Sequence, residues 1–267
     1  MRASILGLSA VFPILVACNV DQPAPAGTDV GSAIQADTAA GNASKQSAQS
    51  FDVDFKNCHE SIGVGLVPTD VAQSMTPDGF VLVGTGSPVT PLVVRTSHCE
   101  SLSFDGGHGH PVSIVEIGAV VVPPDGTGDI NNYAYWYYTD DRQLSKRLEG
   151  VGVPAQHRHI DYDYDADDTD SNFHVSICGV LSVDGTVDPS TTPDGSFDAN
   201  WWKTAFGGTG TVKMATFLPV QEIGSANLVL SVPQGSAIAG LTGTSMQFPL
   251  IQQFNTFPSA HMAVTVQ

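Results

Sequence analysis

The chain has 267 residues, of which 27 are acidic and 10 basic, for a formal net charge of -17. Hydrophobic residues make up 42 % and charged residues 14 %, which excludes a wholly disordered chain because there is enough apolar side chain for a sizeable core. So few cations, scattered along the chain, also exclude a nucleic-acid binder, whose phosphate contacts need clustered Lys and Arg.

Residues 1–17 read as a lipoprotein signal peptide. Arg2 is a short positive region, and Ser4–Ala17 is an apolar stretch interrupted by Pro13. That stretch is shorter than the roughly 20 residues a membrane-spanning helix needs. Leu15-Val16-Ala17-Cys18 matches the bacterial lipobox, whose Cys is lipidated and becomes the new N-terminus. An ordinary signal peptide with an incidental Cys is the alternative. Stable anchoring takes two or more acyl chains, so lipidated Cys18 predicts attachment to a membrane of the bacterial cell envelope by lipid alone. Residues 18–50 contain no aromatic residue and are rich in Ala, Gly, Ser, Gln and Asp. They read as a flexible tether. Composition changes at Phe51, and 51–267 is expected to fold as one domain.

Within that domain, Cys58, Cys99 and Cys178 allow one internal disulfide and leave one further cysteine. Cys58–Cys99 is the expected pair, with Cys178 buried in a strand. A Cys/His metal site built on Cys58-His59 and His98-Cys99 is the competing reading, without CxxC or HExxH spacing to support it.

Alternation and short apolar runs predict strands at Gly79–Val83, Val89–Arg95, Val112–Val122, Tyr133–Thr139, Ile160–Asp165, Phe173–Val183, Val212–Leu218, Ala226–Val232 and His261–Val266. Asp-Gly pairs at 78, 105, 125, 184 and 194 punctuate them as turns. Helices are expected at Asp70–Met75 and Asp140–Gly150, the second capped by Thr139 or Asp140 and stopped by Gly150. This pattern predicts a mainly β fold with a few short helices, closed or nearly closed into an antiparallel barrel.

The segment from Glu116 to Asp161 carries a family pattern. A Glu-bearing strand is followed by the aromatic strand Tyr133-Ala-Tyr-Trp-Tyr-Tyr, the acidic turn Thr139-Asp-Asp, a helix, and the corner Gly152-Val153-Pro154 leading into another strand. It resembles the acetoacetate decarboxylase superfamily, and the resemblance implies a cone-like β-barrel with a mostly apolar central cavity. In that family a Lys after the corner forms a Schiff base with a β-keto acid, its amine kept neutral by a nearby cation and an apolar pocket. Here the corner continues Ala155-Gln156-His157-Arg158-His159. No Lys is present, and Arg158 stays protonated. The resemblance places Glu116 at the family's cavity glutamate, and His157 and His159 at the cavity mouth as proton-transfer groups. Lys203 and Lys213 are the lysines that could enter the cavity from other strands.

Further constellations are weaker. His108 and His110, spaced i, i+2, would point to one side of a strand and could help hold a metal. Asp161, Asp163 and Asp165 begin like a calcium loop, but Ala166 stands where that loop needs Gly, and Asn172 where it needs Glu. A half-buried strand with an acidic outer face fits the same residues. Trp136, Tyr138, Trp201 and Trp202 are the aromatic candidates for a ligand pocket. Adjacent Trp201 and Trp202 must point to opposite faces, so at most one enters a barrel. No phosphate loop or G-x-S-x-G elbow is present.

The sequence thus supports a lipid-anchored envelope protein whose barrel binds a small, largely apolar molecule. No cofactor is expected beyond weakly held calcium. An acetoacetate decarboxylase-like enzyme using Glu116 with His157 or His159 is one alternative, and a structural surface domain is the other.

Overall fold

The computed structural model describes residues 50–164, 171–188 and 191–267. The expected signal peptide, almost all of the tether, Cys18 and Asp165 lie outside the described residues. In chain order the elements are β1 (Phe51–Pro68), α1 (Thr69–Met75), β2 (Val89–Phe104), β3 (His110–Val120), β4 (Ile130–Thr139), α2 (Arg142–Val151), β5 (Ala155–His157), β6 (Asp161–Tyr164), β7 (Asn172–Ile177), β8 (Leu181–Val187), β9 (Thr192–Thr204), β10 (Thr211–Ser231), α3 (Ala237–Thr242), β11 (Ser245–Gln247) and β12 (Ile251–Val266).

Seven strands form a closed ring. Their order is β12-β1-β2-β3-β4-β9-β10, and β10 pairs back onto β12. The far end of β10 leaves the ring and continues the sheet through β8, β7 and β6. The sequence predicts an antiparallel ring, and the ring departs from it at β4. β9 and β5 both lie parallel to β4, because a long crossover through α2 and the β6–β8 layer returns the chain to β4 in the same direction.

Two cores result. The enclosed one takes a side chain from every ring strand: Phe55, Val93, Ile114, Tyr137, Trp201, Met214 and Phe257. Helix α2 presses Leu144, Leu148 and Val151 against it. The outer core, including Leu92, Ile117, Tyr138, Phe173, Trp202 and Phe254, is covered by α1, α3 and the β6–β8 layer. Trp201 and Trp202 therefore divide between the two cores, as strand alternation requires.

Local differences from the sequence expectations have specific causes. β1 was not anticipated because its alternation breaks at Asn57, whose φ of 50° puts Phe55, Cys58 and Glu60 on one face. The expected strand Gly79–Val83 is a series of turns with one bridge, Leu82 to Val121. Gly79, Gly84 and Gly86 all take positive φ there. Cys58 and Cys99 form a disulfide between β1 and β2. Cys178 is exposed in the turn between β7 and β8 rather than buried in a strand, since Gly179 at φ 70° splits Phe173–Val183 in two. In α2 the cap is Asp141, whose carboxylate accepts from the Leu144 amide. The helix ends at Gly152, φ 108°, two residues beyond the expected stop.

Gly118 of β3 shows how tightly the enclosed core is packed. A Cβ there would lie 2.3 Å from the Tyr133 carbonyl oxygen and 2.8 Å from the Trp201 ring. Gly118→Ala is expected to cost about 1–3 kcal/mol, as overpacking does. Gly150→Ala, where a Cβ meets nothing within 4 Å on α2, should instead stabilise by about 0.5–1 kcal/mol. Urea unfolding of both variants checks the contrast, and equal effects would contradict this packing.

Candidate functional site

A charged chain of side chains crosses four neighbouring ring strands on the enclosed face. Glu60 (β1), Arg95 (β2), Glu116 (β3) and Asn255 (β12) are its members. Register places Arg95 directly opposite Glu116, and Asn255 opposite Glu60. The left-handed residue Asn57 breaks the alternation of β1 without shifting its register and so leaves Glu60 facing inward, and Val93 and Ile114, two residues before Arg95 and Glu116, share their face.

Arg95 Nε donates to Glu60 Oε2, and Arg95 Nη1 donates to Glu116 Oε2 at 2.5 Å. Asn255 Nδ2 donates to Glu60 Oε1 at 3.3 Å. Glu116 is 2 % exposed and Arg95 14 %. Burial opposes the charge on Arg95, but Glu60 and Glu116 outweigh it and hold the guanidinium protonated, above its ordinary value. Burial pushes the Glu116 carboxyl up, and the charge and hydrogen bond of Arg95 do not bring it back. One cation thus serves two carboxyls, one of which burial holds above its ordinary value. Tyr137, opposite Glu116 on β4, is buried and pushed well above the usual phenol range, chiefly by that burial. Asn255 Oδ1 is buried and accepts no hydrogen bond from the described residues. The enclosed face therefore offers a carboxyl that can hold or release a proton, a fixed cation and an unfilled acceptor.

Lys203 lies at the end of β9, where β4's edge has lost one strand and not yet gained the next. β9 pairs with Ile130–Tyr133, and β5 begins at Tyr137. A bulge in the pairing of β3 with β4 leaves Tyr135 without a partner on β3. In the gap, Lys203 Nζ donates to the Ala134 carbonyl at 2.8 Å and sits 4.4 Å from the Tyr133 ring centre. Burial lowers its ammonium to about 8, so roughly a tenth of the amine is neutral at pH 7, far more than for an exposed lysine.

The other sequence candidates fall elsewhere. His157 and His159 are exposed and do not meet Glu116. His157 Nε2 lies 3.1 Å from the Asp140 carbonyl oxygen. Ala155, the residue after the corner, is buried in the enclosed core. His108 and His110 are exposed, and His110 Nε2 is 2.7 Å from Asp141 Oδ2, beside the α2 cap. Asp161 and Asp163 are the exposed residues of β6, alternating with half-buried Tyr162 and Tyr164. Of the four aromatic pocket candidates, Trp201 shares the enclosed face with Glu116, whereas Trp136, Tyr138 and Trp202 belong to the outer core. Sequence reading missed Glu60, Arg95 and Asn255. An Arg in the apolar run Leu92–Thr96 was the one local signal, because an unpaired charge is rarely buried.

No protein-family model and no curated protein matches the chain. Solved structures do. Enduracididine biosynthesis enzyme MppR, complexed with pyruvate, matches 85 % of this chain and 93 % of its own, with a TM-score of 0.53 at 14 % identity. An acetoacetate decarboxylase matches 80 % and 88 %, with a TM-score of 0.55 at 11 % identity. The acetoacetate decarboxylase of Legionella pneumophila matches 88 % and 98 %, at 0.54 and 10 %.

Glu116→Gln tests the protonation of the cluster. A folded-state pKa raised above 4.5 means stability that is present at low pH and lost as pH rises through the folded value. Wild type should lose stability relative to Glu116→Gln as pH rises above 4.5 in urea titrations. A difference that stays constant with pH would contradict the shift.

With seven strands closed in a ring, the charged face inside it and these neighbours, the chain has the fold of acetoacetate decarboxylase and its relatives.

Proposed function

We propose that the protein binds a small oxygen-bearing organic molecule, a ketone or oxo acid, at the Glu60–Arg95–Glu116 face inside the strand ring, with Glu116 able to exchange a proton with it. The observation that carries this reading is the buried cluster itself. Burying three ionisable groups is costly unless they are paired, and here a spare acceptor, Asn255 Oδ1, remains beside them. The charge on this face adds a polar ligand end to the small, largely apolar molecule expected from sequence. The neighbours support the same class, since one of them was solved with pyruvate. We also propose that Cys18 is lipidated and tethers the domain to the cell envelope. The support is the Leu15–Cys18 pattern, and labelling with a radioactive fatty acid that persists in Cys18→Ser would remove it.

Lys203 favours a second reading, in which the protein is an enzyme acting on the bound carbonyl. A neutral amine adds to a carbonyl carbon, and loss of water leaves an imine. The corner without a lysine does not preclude this, because Lys203 reaches β4's edge from β9.

One experiment separates the readings. Pyruvate and acetoacetate are titrated into the full chain by calorimetry, and the mixtures are then treated with cyanoborohydride and digested for mass spectrometry. Binding weakened at least tenfold in Arg95→Met and in Glu116→Gln is the expected result. A reduced adduct on Lys203 adds the enzymatic reading. No binding, or binding indifferent to both substitutions, overturns the proposal.

A further inference from the structure

A second buried acceptor faces the interior of the ring. Asn132 of β4 is 2 % exposed, and among the described residues nothing donates to its Oδ1. Its neighbour Asn131 shows what the same side chain does when the fold supplies partners. Asn131 Oδ1 accepts from Trp202 Nε1 at 2.8 Å and from Asn200 Nδ2 at 3.2 Å, and its Nδ2 donates to the Thr127 carbonyl at 2.9 Å. Successive strand residues point to opposite faces, and the acceptor left without a donor is the one that points inward. A buried acceptor in that state is costly, and native folds keep few of them.

Register places Asn132 at the end of the ring. It pairs with Val120, the last residue of β3, and with Trp201 of β9. Trp201 and Ala134, two residues further along β4, belong to the enclosed core, so Asn132 shares their face. Val120 and Ile130 border it and are only half-buried, which makes this the outermost layer of the interior. One layer deeper, Lys203, two residues after Trp201, donates to the Ala134 carbonyl at 2.8 Å. Glu116 lies deeper again, four residues before Val120 on β3, with Arg95 opposite it. A ligand that satisfies this set brings acceptors for Lys203 and Arg95 and a donor for Asn132. The anions of pyruvate and acetoacetate carry acceptors alone and leave Asn132 as it stands.

We infer that Asn132 selects hydroxylated oxo acids, its Oδ1 accepting a hydrogen bond from a hydroxyl of the ligand. The layers of Asn132 and Lys203 are about 7 Å apart, two residues of strand rise, which puts the hydroxyl a few carbons from the atom that Lys203 holds. This selectivity rests on the proposed binding of an oxo acid inside the ring.

The test titrates 2-oxopentanoate and its 4-hydroxy and 5-hydroxy derivatives into the full chain by calorimetry. One of the hydroxy acids should bind more tightly than 2-oxopentanoate by about tenfold or more, since a site built to hold a hydroxyl rejects the analogue without it. In Asn132→Leu that ratio should fall to about one. The unliganded variant should melt no lower than wild type, because it exchanges an unpaired amide for an apolar group of similar size. Asn132→Asp, which keeps an acceptor, should retain a preference for the hydroxyl. Equal binding of the three acids to wild type, or a preference that survives in Asn132→Leu, would overturn the assignment and leave the binding of oxo acids in place. A lower melting temperature for Asn132→Leu would mean that the amide has partners in the fold, and would overturn it too. If none of the three acids binds, the assignment and the proposed function fall together.

Discussion

Arg95 holds two carboxyl groups that would otherwise be stranded inside the ring. Each stands on a different strand, so the guanidinium ties β1, β2 and β3 together at one height, and Asn255 extends the tie to β12. A buried pair of this kind is weak evidence for stability, because desolvation of the ions cancels most of their attraction. Removing the cation alone would leave two buried carboxyls competing for charge. Under the proposed function the cluster is a polar face for a ligand inside the ring. That account uses the raised Glu116 carboxyl and the Asn255 oxygen that has no partner among the described residues.

The ring has one seam where its pattern changes. β9 and β5 share an edge of β4 without meeting, and Lys203 occupies the gap between them. An amine placed there is enclosed enough to shed part of its charge, yet its main hydrogen bond is to a backbone carbonyl rather than a carboxylate. The corner residues Gly152, Val153 and Pro154 belong to the same region, since a Cβ on Gly152 would lie 2.4 Å from the Phe206 amide nitrogen, three residues after Lys203.

Much of the fold was legible because turns and alternation are local. The aromatic strand β4, the helix α2 and the divided faces of Trp201 and Trp202 follow from side-chain periodicity. What failed was also physical. β1 hides behind one left-handed Asn, and the parallel pairing of β9 with β4 depends on a crossover that no local pattern encodes. The site was half legible. Glu116 was found through the resemblance, but its partners Glu60 and Arg95 come from other strands, and nothing near Glu60 in sequence distinguishes it from a solvated carboxylate. His157 and His159 lie in the expected segment, yet they point to water because the short β5 ends where they begin.

The measurement that tests the central claim most directly is carboxyl carbon NMR of the full chain labelled at glutamate, with assignments from Glu60→Gln and Glu116→Gln. The account predicts that Glu116 titrates above the ordinary carboxylate range, and that adding pyruvate or acetoacetate shifts the Glu60 and Glu116 signals together. A Glu116 that titrates normally, with neither signal responding to these molecules, would contradict it and leave the cluster as a structural tie.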